Sequence, residues 1–369
     1  MRGAMFFAKA VLRTLGLRMT PRWARSPTYG APGLKTGRPA PPPWAVARNG
    51  LREIPAARSA ADALLACDVR QEHHFPFNRT TAYSGDKSGK VEYYFNSAGY
   101  RSEELNPHAK VRVCVLGESH GSGTGVPFER TFGQRFKAHL SDALDLPETA
   151  VNVINLSVDG ASADCCVRTL IRQIDIVRPD LVLLNMPSVD RIEDYGPDAA
   201  RNYHVSSIDL DRIEEMPEPI QGFIDLYNPH FGRMNQAKNA ALFQMACHMR
   251  GAEHIIVSHE MQPENFATPI LKPIYDQIDR DRLMLNMFFQ YRSDLAADGA
   301  HAGPRSHEAL AIAIFDRYAR LLQQTHGDAE AAKLRAHADR LKKDSADWAF
   351  VLDSIGRARV GAPVARVRT

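Results

Sequence analysis

Residues 111–125, with the sequence VRVCVLGESHGSGTG, decide the fold of this chain. Val111 to Leu116 are almost continuously apolar, which is typical of a buried strand. Gly117 marks the tight turn that ends the strand, because a glycine has no Cβ. The turn presents the hydroxyl group of Ser119. Chemistry in open α/β sheets is located at the carboxyl ends of the strands, so Ser119 is placed like a nucleophile.

A second informative segment, Asp298-Gly-Ala-His301, lies far downstream and precedes a helical pattern that begins near His307. A serine hydroxyl is a weak nucleophile unless an imidazole accepts its proton. The imidazole in turn needs a carboxylate that holds its tautomer and stabilises its charged form. An aspartate and a histidine on one turn meet both needs. Asp298 and His301 are therefore the expected orienting acid and general base.

These segments resemble, in content and order, the conserved blocks of the SGNH hydrolases, also called the GDSL esterase and lipase superfamily. Gly117-Glu118-Ser119 is similar to the Gly-Asp-Ser block, and the change to Glu118 is mild because the family's nucleophile is the serine. Val151 to Leu156, followed by Gly160, resembles the glycine block. Asp298-Gly-Ala-His301 resembles the Asp-x-x-His block. The likeness covers roughly residues 92–322 and includes Phe95 to Arg101, which is similar to a lead-in found in many bacterial members.

The resemblance implies a catalytic triad of Ser119, His301 and Asp298. It also implies an oxyanion hole formed by the backbone amides of Ser119 and Gly160. The expected activity is hydrolysis of a carboxylic ester through an acyl-enzyme, and the expected substrate is a small-molecule, lipid or glycan ester. An O-acyltransferase would use the same triad, so that alternative stays open.

One block departs from the family's pattern. After the strand at Asp180 to Leu184 the family has Gly-x-Asn-Asp, whose asparagine amide donates to the oxyanion. This chain has Pro187-Ser-Val-Asp190 instead. Loss of one oxyanion donor commonly costs about 10² to 10³ in rate, roughly 3 to 4 kcal/mol. Asn185 and Ser188 are weak candidates for the missing donor, and a noncatalytic SGNH-like binding protein is a second alternative.

Three side chains near the expected site are candidates for substrate contact: His120, Ser188 and His259. His120 directly follows the nucleophile, although a surface position on the turn is the simpler interpretation. His259 ends the predicted strand His254 to Ser258 on the active-site side. The histidines show no zinc-ligand spacing, and the expected chemistry needs neither a metal nor an organic cofactor. Phosphate binding by the glycine-rich Gly121 to Gly125 is a further alternative, but its spacing is not a dinucleotide fingerprint.

The predicted fold class is α/β. Strands near Val111, Val151, Asp180 and His254 alternate with helical patterns, which predicts a parallel sheet covered by helices on both faces. This is a three-layer, flavodoxin-like arrangement. The expected organisation has four parts. Residues 1–60 form a basic, Pro-rich and poorly ordered segment, and residues 61–110 form a lead-in with a hairpin. Residues 111–325 form a catalytic domain with an insertion about 190–230, and residues 326–369 form a C-terminal helix with a basic tail.

Composition and charge limit the other functions. The 46 basic and 43 acidic residues leave a net charge of only +3, so the overall electrostatic field does not favour binding to nucleic acid. The 5 cysteines form no paired framework, which fits a reducing compartment and a cytoplasmic location. No acidic residue precedes Glu53, and Met5 to Gly16 is basic and amphipathic. Peripheral membrane contact through the basic termini, a transit peptide and an unstructured leader all stay open. The oligomeric state is not predicted.

Overall fold

The structure is a computed structural model that describes residues 64, 66–67, 79–82, 91–195, 200–205, 218–325 and 329–359. Three of the sequence predictions fall outside these residues. They concern the basic segment 1–60, the turn of the lead-in hairpin at 84–89, and the basic tail after residue 359.

Nine strands are described, and five of them form one parallel sheet. In chain order the strands are β1 Arg79–Ala82, β2 Glu92–Phe95, β3 Val111–Leu116, β4 Val151–Asn155, β5 Leu181–Asn185, β6 Arg191–Tyr195, β7 Ala200–His204, β8 Glu253–Ser258 and β9 Leu283–Leu285. The central sheet has the order β4-β3-β5-β8-β9, and all its pairings are parallel. Strands β1 and β2 pair as one antiparallel hairpin, and β6 and β7 pair as another.

Helices connect the strands and end the described part of the chain. They are α1 Ser119–Ser122, α2 Phe132–Leu144, α3 Ala163–Val177, α4 Glu218–Leu226, α5 Pro229–Arg250, α6 Lys272–Tyr275, α7 Met287–Tyr291, α8 Pro304–Thr325, α9 Ala329–Asp344 and α10 Ala346–Arg359. Within the residues that the structure describes, none of the helices combines the length and the apolar character needed to cross a membrane.

The central sheet is buried on both faces, because alternate side chains of its strands enter two separate cores. Cys114 and Leu116 of β3 belong to one core, which α3 and α5 cover. Val113 and Val115 belong to the other core, which is covered by α2 and α8 to α10. Burial on both faces explains why β3 is apolar almost throughout. The predicted three-layer α/β/α fold is confirmed.

The sequence analysis missed several elements at the end of the chain. Strand β9 has only three residues, too few to show a periodic pattern. Helix α10 was not predicted, because the sequence analysis assigned residues 326–369 to a single helix and a basic tail. The structure instead buries Val351 and Ile355 of α10 in the second core.

The second core depends on Phe315 of α8, which has no exposed surface. Its ring lies 5.9 Å from that of Phe136 and 5.4 Å from that of His337. Replacing Phe315 by alanine leaves a cavity, so we expect the free energy of unfolding to fall by about 3 to 5 kcal/mol. Urea denaturation followed by circular dichroism measures the change. The control is Leu352→Ala, at an exposed position, which should change stability by less than about 0.5 kcal/mol. Equal midpoints for the two variants would contradict this packing.

Candidate active site

The end of β3 is tightly packed against β5, and this packing requires Gly117. A Cβ on Gly117 would lie 3.0 Å from the carbonyl oxygen of Asn185 and 3.2 Å from the Cα of Gly121. Any larger residue would push β3 away from β5 or unwind the turn that follows. The glycine that the sequence analysis assigned to a tight turn therefore serves a close backbone approach.

Ser119 is the first residue of α1, a single helical turn that replaces the open turn predicted from the sequence. Glu118 caps this helix, and its Oε1 accepts a hydrogen bond from the His120 amide at 3.4 Å. Gly123 ends the helix with a φ of 76°, in the left-handed region that favours glycine. Ser119 is 7% exposed, so its hydroxyl is held in a nearly closed environment.

The structure brings Ser119, His301 and Asp298 into one hydrogen-bonded series. His301 Nε2 lies 2.9 Å from Ser119 Oγ, and His301 Nδ1 lies 2.5 Å from Asp298 Oδ2. The other carboxylate oxygen of Asp298 accepts the amides of Ala300 and His301 at 2.9 and 3.0 Å. The carboxylate is thereby fixed, and it holds the imidazole with Nε2 directed at the serine.

The loop that carries His301 is attached to both the nucleophile loop and helix α8. The Ala297 amide donates to the Gly125 carbonyl at 2.9 Å, which ties this loop to the chain after α1. Asp294 accepts the amides of Arg305 and Ser306 at 2.8 and 2.9 Å at the start of α8. The sequence analysis missed Asp294, because it lies well before Pro304 and not at the capping position directly before the helix.

Glu118 contacts the candidate nucleophile directly. Ser119 Oγ donates to Glu118 Oε2 at 2.7 Å, and Arg191 Nη2 lies 3.2 Å from the same oxygen. Burial alone would raise the pKa of the Glu118 carboxyl. The positive charge of His120 in its protonated form, the Arg191 guanidinium and the hydrogen bonds outweigh burial and lower this pKa. Interpreting Glu118 as a mild replacement missed this contact.

The candidate oxyanion donors have different surroundings. Gly160 has a φ of 77° and lies beside Arg191, whose Nη1 is 3.8 Å from the position of a Cβ on Gly160. Asn185 is buried at the end of β5, where its Oδ1 accepts from Asn286 Nδ2 at 3.3 Å. Ser188 Oγ donates to Asp190 at 2.5 Å. Gly160 is therefore near Arg191, which contacts Glu118, whereas the hydroxyl of Ser188 is engaged with Asp190.

The two histidines predicted to contact substrate differ in burial. The ring of His120 stacks on Phe289 at 4.8 Å and meets the ring of His301 edge to face at 5.1 Å. Burial is the main reason that the pKa of His120 falls to about 4, so this imidazole is neutral near pH 7. His120 is an internal neighbour of His301 and does not lie on a surface turn. His259 is more exposed, and its Nε2 lies 3.6 Å from Glu260 Oε1.

The lead-in segment holds the loop that follows Ser119. Arg101 is buried and donates to the carbonyls of Ser122, Gly123 and Val126 at 3.0, 2.6 and 2.6 Å. Its guanidinium lies 3.7 Å from the centre of the Tyr93 ring. The sequence resemblance included Arg101 but assigned it no role. Its targets are backbone carbonyls, which leave no signal in the side-chain pattern.

The described residues contain no group of three or more histidine, cysteine, aspartate or glutamate side chains placed to hold a metal ion.

Comparisons with known proteins identify similar folds. No family model and no curated protein matches the chain. The solved structures similar to it include the psychrotrophic esterase EstA from Pseudoalteromonas, the α/β hydrolase LAE5 from a Lake Arreo metagenome, and TesA. Identities are 13%, 15% and 15%, and TM-scores are 0.36, 0.34 and 0.35. The matches cover 57% of this chain and 98%, 95% and 99% of the others.

These solved structures include esterases, the class of protein that the sequence resemblance implies. Because the identities and TM-scores are this low, the function of the site is inferred below from its own residues.

Removal of the Arg101 guanidinium tests the support of the nucleophile loop. In Arg101→Met three carbonyls lose their donor, so we expect the free energy of unfolding to fall by about 2 to 5 kcal/mol. Arg101→Lys keeps the charge and should recover part of the loss. Urea denaturation measures both variants. Arg250→Met is the control, because it breaks an ion pair with Asp175 at the surface and should have almost no effect. Similar midpoints for the Arg101 and Arg250 variants would refute the supporting role.

The pH dependence of stability tests the fixed state of Asp298. Burial raises its pKa, but the hydrogen bonds from the His301 and Ala300 amides and the His301 ring outweigh burial and lower the pKa to about 2. A carboxyl whose pKa is lowered on folding stabilises the folded state above its unfolded value of about 3.9 and loses this contribution as pH falls towards 2. Asp298→Asn should therefore destabilise the protein at pH 7, with a difference that narrows between about pH 4 and pH 2.

Urea midpoints across that pH range give the measurement. Asp353→Asn is the control, because Asp353 pairs with Arg357 at the surface and should show little difference at any pH. A gap between wild type and Asp298→Asn that stays constant down to pH 2 would contradict the assignment.

Proposed function

We propose that this protein is a serine-dependent hydrolase of carboxylic esters. The observation that carries the proposal is the hydrogen-bonded series of Asp298, His301 and Ser119 at the carboxyl end of β3. A serine, an imidazole and a carboxylate in this order are the groups that nucleophilic acyl transfer requires. The proposed substrate is a small-molecule, lipid or glycan ester. A cytoplasmic location and peripheral membrane contact remain predictions from the sequence.

In the first half of the reaction, Ser119 Oγ attacks the carbonyl carbon and its proton passes to His301 Nε2. The carbonyl electron pair moves to the oxygen, which the amides of Ser119 and Gly160 stabilise. Collapse of this intermediate expels the alcohol, which takes the proton from His301, and an acyl group remains on Ser119. Asp298 stabilises the imidazolium and keeps its orientation throughout.

In the second half, water enters in place of the alcohol. His301 Nε2 accepts a proton from the water as its oxygen attacks the acyl carbon. The new intermediate collapses and releases the carboxylic acid, and His301 Nε2 returns the proton to Ser119 Oγ. No other group needs to gain or lose a proton. An alcohol in place of water would complete an acyl transfer by the same steps.

The hydrogen bond from Ser119 to Glu118 in the free protein adds one requirement to the attack on the ester. Ser119 Oγ carries a single proton, and two acceptors lie within hydrogen-bond distance of it, Glu118 Oε2 at 2.7 Å and His301 Nε2 at 2.9 Å. Only a hydroxyl directed at His301 can give up its proton to the base. Attack therefore requires the hydroxyl to rotate from the carboxylate to the imidazole, a small movement that needs no change in the backbone.

Labelling with a fluorophosphonate probe tests the proposal. We expect the wild-type protein to gain one adduct at Ser119, located by intact mass and peptide mapping. Ser119→Ala should gain none, and His301→Ala should react and hydrolyse p-nitrophenyl butyrate at least about 10³-fold more slowly. Ser141→Ala, which removes a buried hydroxyl on α2, is the control and should label like wild type. Folded wild-type protein that gains no adduct would contradict the proposal.

A further inference from the structure

The loop before β6 offers no free donor where the related family has its asparagine amide. Val189 has no side-chain donor, and its backbone amide donates to Glu260 Oε2 at 2.8 Å. Ser188 Oγ donates to Asp190. Within the described part of the chain, both groups therefore already donate to a carboxylate, that of Asp190 or that of Glu260. Neither Ser188 nor the Val189 amide is therefore free to supply a third donor for the oxyanion.

Arg191 begins β6 two residues after Val189, and its guanidinium reaches Glu118, the residue next to the nucleophile. Its Nη2 contacts Glu118 Oε2 at 3.2 Å, and the same oxygen accepts the hydrogen bond from Ser119 Oγ. Its Nη1 lies beside Gly160, the expected amide donor. The guanidinium therefore lies between the residue adjacent to the nucleophile and the glycine of the oxyanion hole.

The Arg191 side chain also has donors that are not in use. A guanidinium carries five N–H groups. In Arg191, Nη2 bonds Glu118, whereas Nη1 makes no hydrogen bond among the described residues. The side chain is 17% exposed, so water reaches little of it. An unused guanidinium donor beside Gly160 is free to donate to an acceptor of the substrate.

We propose that Arg191 is a catalytic residue that supplies the third oxyanion donor in place of the family's asparagine. The inference rests on the ester hydrolase proposed above. As Ser119 Oγ bonds the carbonyl carbon and its proton moves to His301, the carbonyl electron pair moves to the oxygen. Arg191 Nη1 and the Gly160 amide donate hydrogen bonds to that oxygen. Arg191 keeps all its protons, because a guanidinium is not deprotonated in proteins.

This role also accounts for the pairing of Arg191 with Glu118. A carboxylate next to the nucleophile would by itself oppose the negative charge that develops on the substrate oxygen. The guanidinium between them offsets the carboxylate and presents a positive charge to the oxyanion, in a site where low exposure keeps screening small. Glu118 can therefore stand next to the nucleophile without opposing the oxyanion only when Arg191 is paired with it.

The test compares Arg191→Met, Arg191→Gln and Arg191→Lys with wild type in hydrolysis of p-nitrophenyl butyrate. For the Met and Gln variants we expect kcat to fall about 10² to 10³-fold with little change in KM, because an oxyanion donor acts only in the transition state. Lysine keeps the charge but not the forked geometry, so its loss should be smaller. The affinity for an alkyl trifluoromethyl ketone, which forms an oxyanion on Ser119, should fall in parallel with kcat/KM.

Arg168→Met is the matched control. Arg168 lies on α3 and pairs with Glu193 of β6 at 2.6 Å, so its removal loosens the same hairpin without touching the site. We expect it to change kcat by less than about threefold, since the ion pair between Arg168 and Glu193 does not act on the oxyanion. Thermal melting followed by circular dichroism verifies that each variant is folded. If Arg191→Met is unfolded, the kcat values of Arg191→Gln and Arg191→Lys decide the role of Arg191.

The outcomes separate this inference from the proposed function. Wild-type protein that neither labels at Ser119 nor hydrolyses the ester would overturn both. Labelling of wild type together with full kcat in the folded Arg191 variants would overturn the role of Arg191 alone. An equal loss in Arg168→Met and Arg191→Met, with unchanged affinity for the trifluoromethyl ketone, would show a purely structural role for Arg191 and would also overturn the inference.

Discussion

The position of β3 is the constraint on which the rest of the structure depends. β3 pairs with β4 on one side and with β5 on the other, and its side chains enter both cores alternately. A strand held in this way cannot shift along its axis without breaking two ladders and exposing apolar side chains on both faces. Its carboxyl end is therefore a rigid platform. Gly117 lets this end pack directly against β5, and Ser119 follows at a position that the sheet determines.

Around that platform, charged and polar side chains are buried but paired, as burial requires. Arg101 holds backbone carbonyls after α1, and Glu118 holds the start of the same helix. Arg191 contacts Glu118, and Asp298 contacts His301. Each pair joins segments that are widely separated along the chain or caps a turn beside the nucleophile. The same contacts stabilise the loops and set the charge near Ser119. A substitution in one of them therefore changes both the stability of the loops and the electrostatic field at the nucleophile.

The features that could be predicted from the sequence are those with a local signal. Continuous apolar residues indicate β3, and a short spacing places Asp298 and His301 on one turn. The contact between Glu118 and Arg191 had no such signal, because the two residues are joined only when the loop after β5 folds back over the end of β3. The targets of Arg101 are main-chain carbonyls, which every residue possesses. Helix α10 was missed because exposed charges outnumber its few buried apolar positions.

The amino-acid sequence by itself determined the three-layer architecture, because its alternation of strand and helix patterns is a local property of the chain. It also indicated which serine, histidine and aspartate to examine, because their neighbours carry turn and strand signals. Only the tertiary structure decided that Ser119 is shared between Glu118 and His301, that Ser188 is engaged with Asp190, and that Arg191 lies beside Gly160. Distances between side chains on different strands and loops depend on packing, and packing is a property of the whole fold.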